Sequence, residues 1–239
     1  MEKTFKIFID FDGTVTKADV GDLIFRKLVD EEILGSIISS QLRGEISARK
    51  SWMLQCEAAG IVNKQRLNEI IDQAEIDHTF HNLVDYCDEN SIEFFILSDG
   101  FDYYIDRILK KENLNGINAY SNKLNFTDDC KLNPVFPYLD AGCTSTANCK
   151  RNHIINHSSD DDFTVFIGDG ISDQYTALFC DFIFAKNDLL KFCEKERITY
   201  FPFTNFDDVV ARLKQLQFKK RLKKRHQAEL KRKEIYTLE

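Results

Sequence analysis

"FIDFDGTVT", residues 8–16, runs an apolar segment straight into two aspartates and a glycine. A carboxylate taken out of water is costly unless a cation or hydrogen bonds compensate it, so Asp10 and Asp12 at the end of a buried run need such a partner. Two residues apart in extended chain, they point to the same side, and open α/β sheets place their sites at the carboxyl ends of strands. Gly13 lets the backbone approach a ligand closely. Facing carboxylates repel unless a cation lies between them, and an all-oxygen site suits Mg²⁺. The alternative is an Asp-rich turn with a helix capped by Thr14 or Thr16.

The same kind of segment recurs. "TFKIFID" (4–10), "IEFFILSD" (92–99), "FTVFIGD" (163–169) and "DFIFAK" (181–186) are short apolar runs rich in aromatic and β-branched residues. Strands buried on both faces of a parallel sheet have this pattern. Helical periodicity lies between them, over 79–89, 101–112, 150–157, 172–180, 187–196 and 205–216, which predicts an α/β fold with a largely parallel sheet. Two intervals break the alternation. From Asp19 to Glu75 only amphipathic helical patterns occur, such as "DLIFRKLVDEEILGSIISSQL" and "KQRLNEIIDQAE", and these predict a helical insertion after the first strand. The irregular interval 118–149, with Pro134 and Pro137, suits a hairpin or flap.

Composition places the 239 residues among ordinary globular proteins, with 43% apolar and 30% charged content. No apolar run approaches the roughly 20 residues of a membrane helix, so no membrane partner is expected. Met1-Glu2-Lys3 leads into the first strand without a signal-peptide pattern. The seven cysteines are odd in number, scattered and without a C-x-x-C pair, which predicts reduced thiols in a cytoplasmic protein. Residues 217–239 hold nine Lys/Arg against three Glu, a net +6 that leaves −13 on the rest of a chain whose total is −7. An acidic body makes nucleic acid an unlikely partner, and the basic tail is expected to be a solvated helical extension.

Two further strand ends carry chemistry. In "FIGDGISD" (166–173), Asp169 follows an apolar run and Asp173 stands four residues on, adding carboxylates to the same edge of the sheet; alone this also fits a turn with a helix cap. In "ILSDG" (96–100), Ser98 and the backbone N–H groups of Asp99 and Gly100 fit a phosphate oxygen, and alone they also fit a turn. His153 and His157, one helical turn apart, lack an evident third ligand and are expected to be ordinary histidines. Cys143 and Cys149 are expected to be structural thiols.

D-x-D-G-T at 10–14, a strand-end Ser98, a lysine and then G-D-G-x-x-D at 168–173 resemble, in that order, the haloacid dehalogenase superfamily. The resemblance spans about residues 5–205. It implies a Rossmann-like three-layer core, 1–15 and 76–216, with a helical cap over 16–75 of the phosphoserine-phosphatase-like kind, followed by the basic tail 217–239. Lys150, opening the helix "KRNHIINH", is the best placed lysine; Lys123 and Lys131 are poorer. The roles it implies are a nucleophile at Asp10, an acid/base at Asp12, and Mg²⁺ on Asp10, Asp169 and the carbonyl of Asp12. Ser98 and Lys150 would hold phosphoryl oxygens beside Gly13, Asp99 and Gly100, and Asp173 would orient Lys150 or a metal-held water.

Asp19 occupies the place where phosphoserine phosphatases carry a glutamate that reads the substrate amine. In "SARKSWMLQCEA" (47–58), Trp52, Met53, Leu54 and Gln55 stand about where those enzymes have a carboxylate-reading arginine, with Arg49 the nearest candidate. "FAKNDLLKFCEKERITYFPFTNF" (184–206), with Cys143 and Cys149, is more similar to phosphatases of methionine salvage that act on 2-hydroxy-3-keto-5-methylthiopentenyl-1-phosphate. The expected function is a Mg²⁺-dependent phosphomonoesterase acting on a small phosphorylated metabolite. The alternatives are a phosphoserine phosphatase, a phosphotransferase of the same fold, or an inactive binding module. The oligomeric state stays open between monomer and homodimer.

Overall fold

The computed structural model describes residues 4–143 and 146–236. Residues 1–3, 144–145 and 237–239, at the edges of the expected core, irregular interval and tail, lie outside the described residues. The first half contains β1 (Phe5–Ile9), α1 (Val20–Leu28), α2 (Glu31–Leu42), α3 (Ala48–Ala58), α4 (Lys64–Ile71), α5 (Phe80–Glu89), β2 (Glu93–Phe101) and α6 (Asp102–Lys111). A hairpin of β3 (Ala119–Phe126) and β4 (Leu132–Val135) follows, then α7 (Lys150–Asn156), β5 (Phe163–Gly168) and α8 (Gln174–Ala177). The chain continues through β6 (Phe182–Ala185), α9 (Asn187–Lys195), β7 (Phe201–Pro202), α10 (Phe206–Phe218) and α11 (His226–Tyr236).

The strands form one sheet in the order β4-β3-β2-β1-β5-β6-β7. β1 is parallel to both β2 and β5, β5 to β6, and β6 to β7; the β3–β4 pair is antiparallel. Phe5, Ile7, Phe8 and Ile9 of β1 are all buried, with Lys6 half-buried between them, as the nearly continuous apolar run of a central parallel strand requires. Pro134 sits in β4, where an edge strand tolerates its missing N–H. β7 has two residues and leaves no periodic signal.

The chain divides into two compact units. The first comprises the residues up to Val15, Ile76–Leu97 and the chain from Lys150 on; the second comprises Thr16–Glu75 and Ser98–Cys149. The expected cap 16–75 thus falls in the second unit together with 98–149, which the sequence reading assigned to the core. In the first unit, α5 and α10 pack through Phe80 and Phe206, with ring centroids 5.0 Å apart. In the second, α1, α2, α3 and α4 are each started by a side chain that accepts from the first-turn backbone: Asp19, Asp30, Ser47 and Asn63. Trp52 of α3 touches Phe25 of α1 and Phe101 at the end of β2.

The basic tail corrects the expectation of a solvated extension. Ala228 and Arg232, four residues apart and so on one face of α11, are buried. Arg232 donates to Thr164 Oγ1, to the Phe179 carbonyl at 2.5 Å and to Asp181 Oδ1 at 3.2 Å. Arg225 donates to the carbonyls of Ala177 and Leu178. Two arginines of the run therefore serve as internal donors to carbonyls at the end of α8 and to the buried Asp181, and the helix docks onto the body.

Candidate active site

β1 ends at Ile9, and Asp10 continues it with its N–H on the Ile167 carbonyl. A tight turn over Phe11–Val15 follows, in which Asp12 is extended (φ −75°, ψ 119°) and Gly13 has φ 77°. Gly13 is required twice. A side chain disfavours that φ, and a Cβ built there would lie 2.8 Å from Asp169 Oδ2. The turn thus brings its backbone against the carboxylate at the end of β5.

Asp10 is 4% exposed and Lys150, the first residue of α7, is 1% exposed. Lys150 Nζ donates to Asp10 Oδ1 at 2.5 Å and to Asp173 Oδ1 at 2.7 Å. The other oxygen of Asp173 accepts from the N–H groups of Asp169 and Gly170, both at 3.0 Å. Asp173 is therefore committed to holding Lys150 and the β5 loop. Gly168 makes room for it, since a Cβ there would stand 2.5 Å from Asp173 Oδ2. Asp169 is held by Thr14 Oγ1 and by Asn187 Nδ2, each at 3.1 Å.

The carboxylate cluster could hold a metal ion. Asp10, Asp169 and Asp173 offer ligand oxygens within 4.8 Å of one another, and Lys150 supplies a single ammonium between them. Burial, then repulsion from Asp173, pushes the Asp10 carboxyl well above the usual carboxylate range against the pull of Lys150. Burial also raises Asp169, with the hydrogen bond from Asn187 opposing. For Lys150, burial opposes the charge, but the carboxylates of Asp10 and Asp173 outweigh it and hold the pKa above that of an ordinary lysine. Lys186 is depressed by burial, with Asp169, Asp77 and Asp10 acting the other way. An oxygen-rich, over-negative cluster of this kind suits a hard divalent cation.

The remaining sequence candidates fall as follows. Ser98, Asp99 and Gly100 end β2 in the second unit, two to four residues beyond Ile96, which pairs with Ile9. Ser98 Oγ accepts from Gly100 N–H at 2.9 Å, so that its own O–H is oriented away from that amide. Asp19 caps α1 by accepting from Asp22 N–H at 2.7 Å. Asp12 is half-buried in the turn. His153 is buried and sits 6.4 Å, ring to ring, from His157. Cys143 and Cys149 are buried.

Sequence reasoning missed Thr14 and Asn187 as supports of Asp169. Thr14 was weighed only as a helix cap. Asn187, two residues past the end of β6, has φ 49°, a left-handed conformation that Asn tolerates; the signal available in the sequence was an Asn placed just after the apolar run "DFIFAK".

A mostly parallel sheet with a buried lysine held between Asp10 and Asp173, beside a D-x-D-G-T turn, belongs here to a protein of the phosphatase class. More narrowly, residues 5–196 match the family described as "Putative Phosphatase", and the chain belongs to it. It is 32% identical over 222 residues to a Bacillus cereus (strain 03BB102) protein named 2-hydroxy-3-keto-5-methylthiopentenyl-1-phosphate phosphatase, covering 89% of this chain and 97% of that one. A Bacillus mycoides (strain KBAB4) relative of the same name matches with the same identity and coverage. A substrate-bound phosphoserine phosphatase complex shares the fold with a TM-score of 0.68 at 18% identity, over 89% of this chain and 99% of that one. A phospho-aspartyl intermediate analogue of phosphoserine phosphatase does so with a TM-score of 0.65 at 20% identity, over 90% and 99%.

Proposed function

We propose that this phosphatase is a Mg²⁺-dependent phosphomonoesterase that turns over a small phosphorylated metabolite through an aspartyl-phosphate on Asp10. The observation that carries this reading is the buried Lys150 between Asp10 and Asp173, with Asp169 completing the carboxylate cluster. Asp10 Oδ attacks phosphorus, the P–O bond to the alcohol breaks, and Asp12 protonates the departing oxygen. Asp12 then takes a proton from the water that attacks phosphorus in the second step, releasing phosphate and restoring Asp10. Asp10, Asp169 and the Asp12 carbonyl would hold Mg²⁺, which when bound offsets the carboxylate and phosphate charge. Ser98 and Lys150 donate to the phosphoryl oxygens as their charge grows.

The first substrate to test is the one in the name of the 32% identical relatives, 2-hydroxy-3-keto-5-methylthiopentenyl-1-phosphate. Phosphoserine is disfavoured on three counts. Asp19 is engaged as a helix cap, Trp52 is engaged with two rings, and the Arg49 guanidinium lies over the Phe136 ring, 5.7 Å from its centroid. Phosphate release from a panel containing both compounds, with Mg²⁺ or EDTA and beside Asp10→Asn, tests the reading. Release that depends on Mg²⁺ and vanishes in Asp10→Asn is expected; release that survives both changes overturns the mechanism, and preference for phosphoserine overturns the substrate argument.

A further inference from the structure

The side chain of Asp99 is turned to backbone. Its Oδ1 accepts from two successive N–H groups, Ala147 at 2.5 Å and Asn148 at 2.8 Å. Asn148 answers in the other direction, since its side-chain amide donates to the carbonyls of Ser98 and Tyr120, both at 2.8 Å. Asn122 donates to the Asp99 carbonyl at 2.7 Å. Ala147, Asn148 and Asn122 are all fully buried. The end of β2 and the segment 147–148 are thus laced together by charge-assisted and buried hydrogen bonds, which are stronger than exposed neutral ones. Ser98, assigned to the phosphoryl oxygens, immediately precedes Asp99, and its carbonyl is one of the two that Asn148 holds.

We propose that Asp99 and Asn148 are positioning residues that set the backbone from which Ser98 acts on the phosphoryl group. This rests on the phosphatase mechanism above. A carboxylate facing a bound phosphate would repel it; spent on two N–H groups, the Asp99 charge is absorbed by backbone. Ser98 gains most as charge develops on the phosphoryl oxygens, so disturbing its placement lowers kcat more than it raises KM. Misplacement by about 1 Å costs on the order of 100-fold in rate.

The test is steady-state hydrolysis of p-nitrophenyl phosphate at saturating Mg²⁺ by wild type, Asp99→Ala, Asp99→Asn, Asn148→Ala and Asp10→Asn, each checked for folding by near-UV circular dichroism. Orthovanadate inhibition is measured alongside. Asp99→Ala and Asn148→Ala are expected to lose about 10- to 100-fold in kcat, with KM moved less than about threefold and vanadate inhibition weakened in step. Asp99→Asn, whose amide oxygen still accepts, is expected to recover most of the loss. Wild-type kcat in both alanine variants, or an Asn variant as impaired as Ala, overturns the positioning role while Asp10→Asn remains inactive. Full activity in Asp10→Asn overturns the underlying mechanism instead.

Discussion

Lys150 Nζ lies 2.5 Å from Asp10 Oδ1, and neither group meets bulk water to any extent. A buried pair is stable only when its other valences are met, and Asp173 Oδ1 meets another of the lysine's at 2.7 Å. Lys150→Met keeps the length and deletes the charge, leaving Asp10 and Asp173 facing each other. The expected loss is about 100- to 1,000-fold in kcat, the scale of removing one preorganised donor to developing oxyanion charge. Lys150→Arg is not expected to restore it, because a planar guanidinium cannot enter a 1% exposed site built around a point charge. Single-turnover phosphate release reads both variants, and retention of activity within about threefold in Lys150→Met would remove the lysine from the mechanism.

Gly13 tests the geometry of the carboxylate cluster without changing its charge. Gly13→Ala meets a left-handed φ, worth about 1–2 kcal/mol of strain, and a Cβ 2.8 Å from Asp169 Oδ2. Either the turn or Asp169 must move. Stability is expected to fall by that amount or more in urea titrations. The midpoint of Mg²⁺ activation is expected to rise, because the displaced carboxylate is one of those assigned to the cation. An unchanged midpoint would separate Asp169 from cation binding.

The parallel core was legible because its buried strands are short apolar runs, three of which lead into Asp or Ser: β1 into Asp10, β2 into Ser98 and β5 into Asp169. Asp10, Asp169 and Asp173 were readable from two short motifs. What escaped depends on contacts between distant segments. Nothing in the sequence around Asn148 tells that its amide spans Ser98 and Tyr120, fifty and twenty-eight residues away. The tail misled for a related reason. A dense run of Lys/Arg looks uniformly solvated until Ala228 and Arg232, an i, i+4 pair, are seen to be buried with Arg232 on the buried Asp181 just before β6. The extent of the second unit was hidden because 98–112 reads as the ordinary strand–helix alternation of the core and only 118–149 is irregular in sequence.

His153 offers a pH-dependence with a defined sign. Burial, reinforced by His157, pushes its pKa down to about 4 from an ordinary value of 6.5. The unfolded chain therefore binds a proton at a higher pH than the folded one does. The stability this site contributes is fully present above about pH 6.5 and drains away as pH falls towards 4. His153→Phe removes the group that must charge on unfolding. Between pH 7 and pH 4.5 the urea midpoint of the variant is expected to fall less than that of wild type. Parallel curves would mean that His153 is solvated.

Arg232 and Asp181 make the tail a structural element, and this too can be measured. Asp181 Oδ2 already accepts from Thr164 N–H and Oγ1 at 3.0 Å, and Arg232 closes the network from α11. Removing one partner leaves an uncompensated buried charge, so Arg232→Met is expected to cost about 3–5 kcal/mol. Asp181→Asn leaves the arginine unpaired and is expected to cost a comparable amount, while the double variant costs less than the sum by about 1–3 kcal/mol. Because Arg232 also donates to the Phe179 carbonyl, the double variant does not return to wild-type stability. A chain ending at Phe218 loses Arg225 and Arg232 together and uncovers the carbonyls of Ala177, Leu178 and Phe179, and its denaturation midpoint is expected to lie below that of either single variant. A truncated chain as stable as the full one would return the tail to solvent.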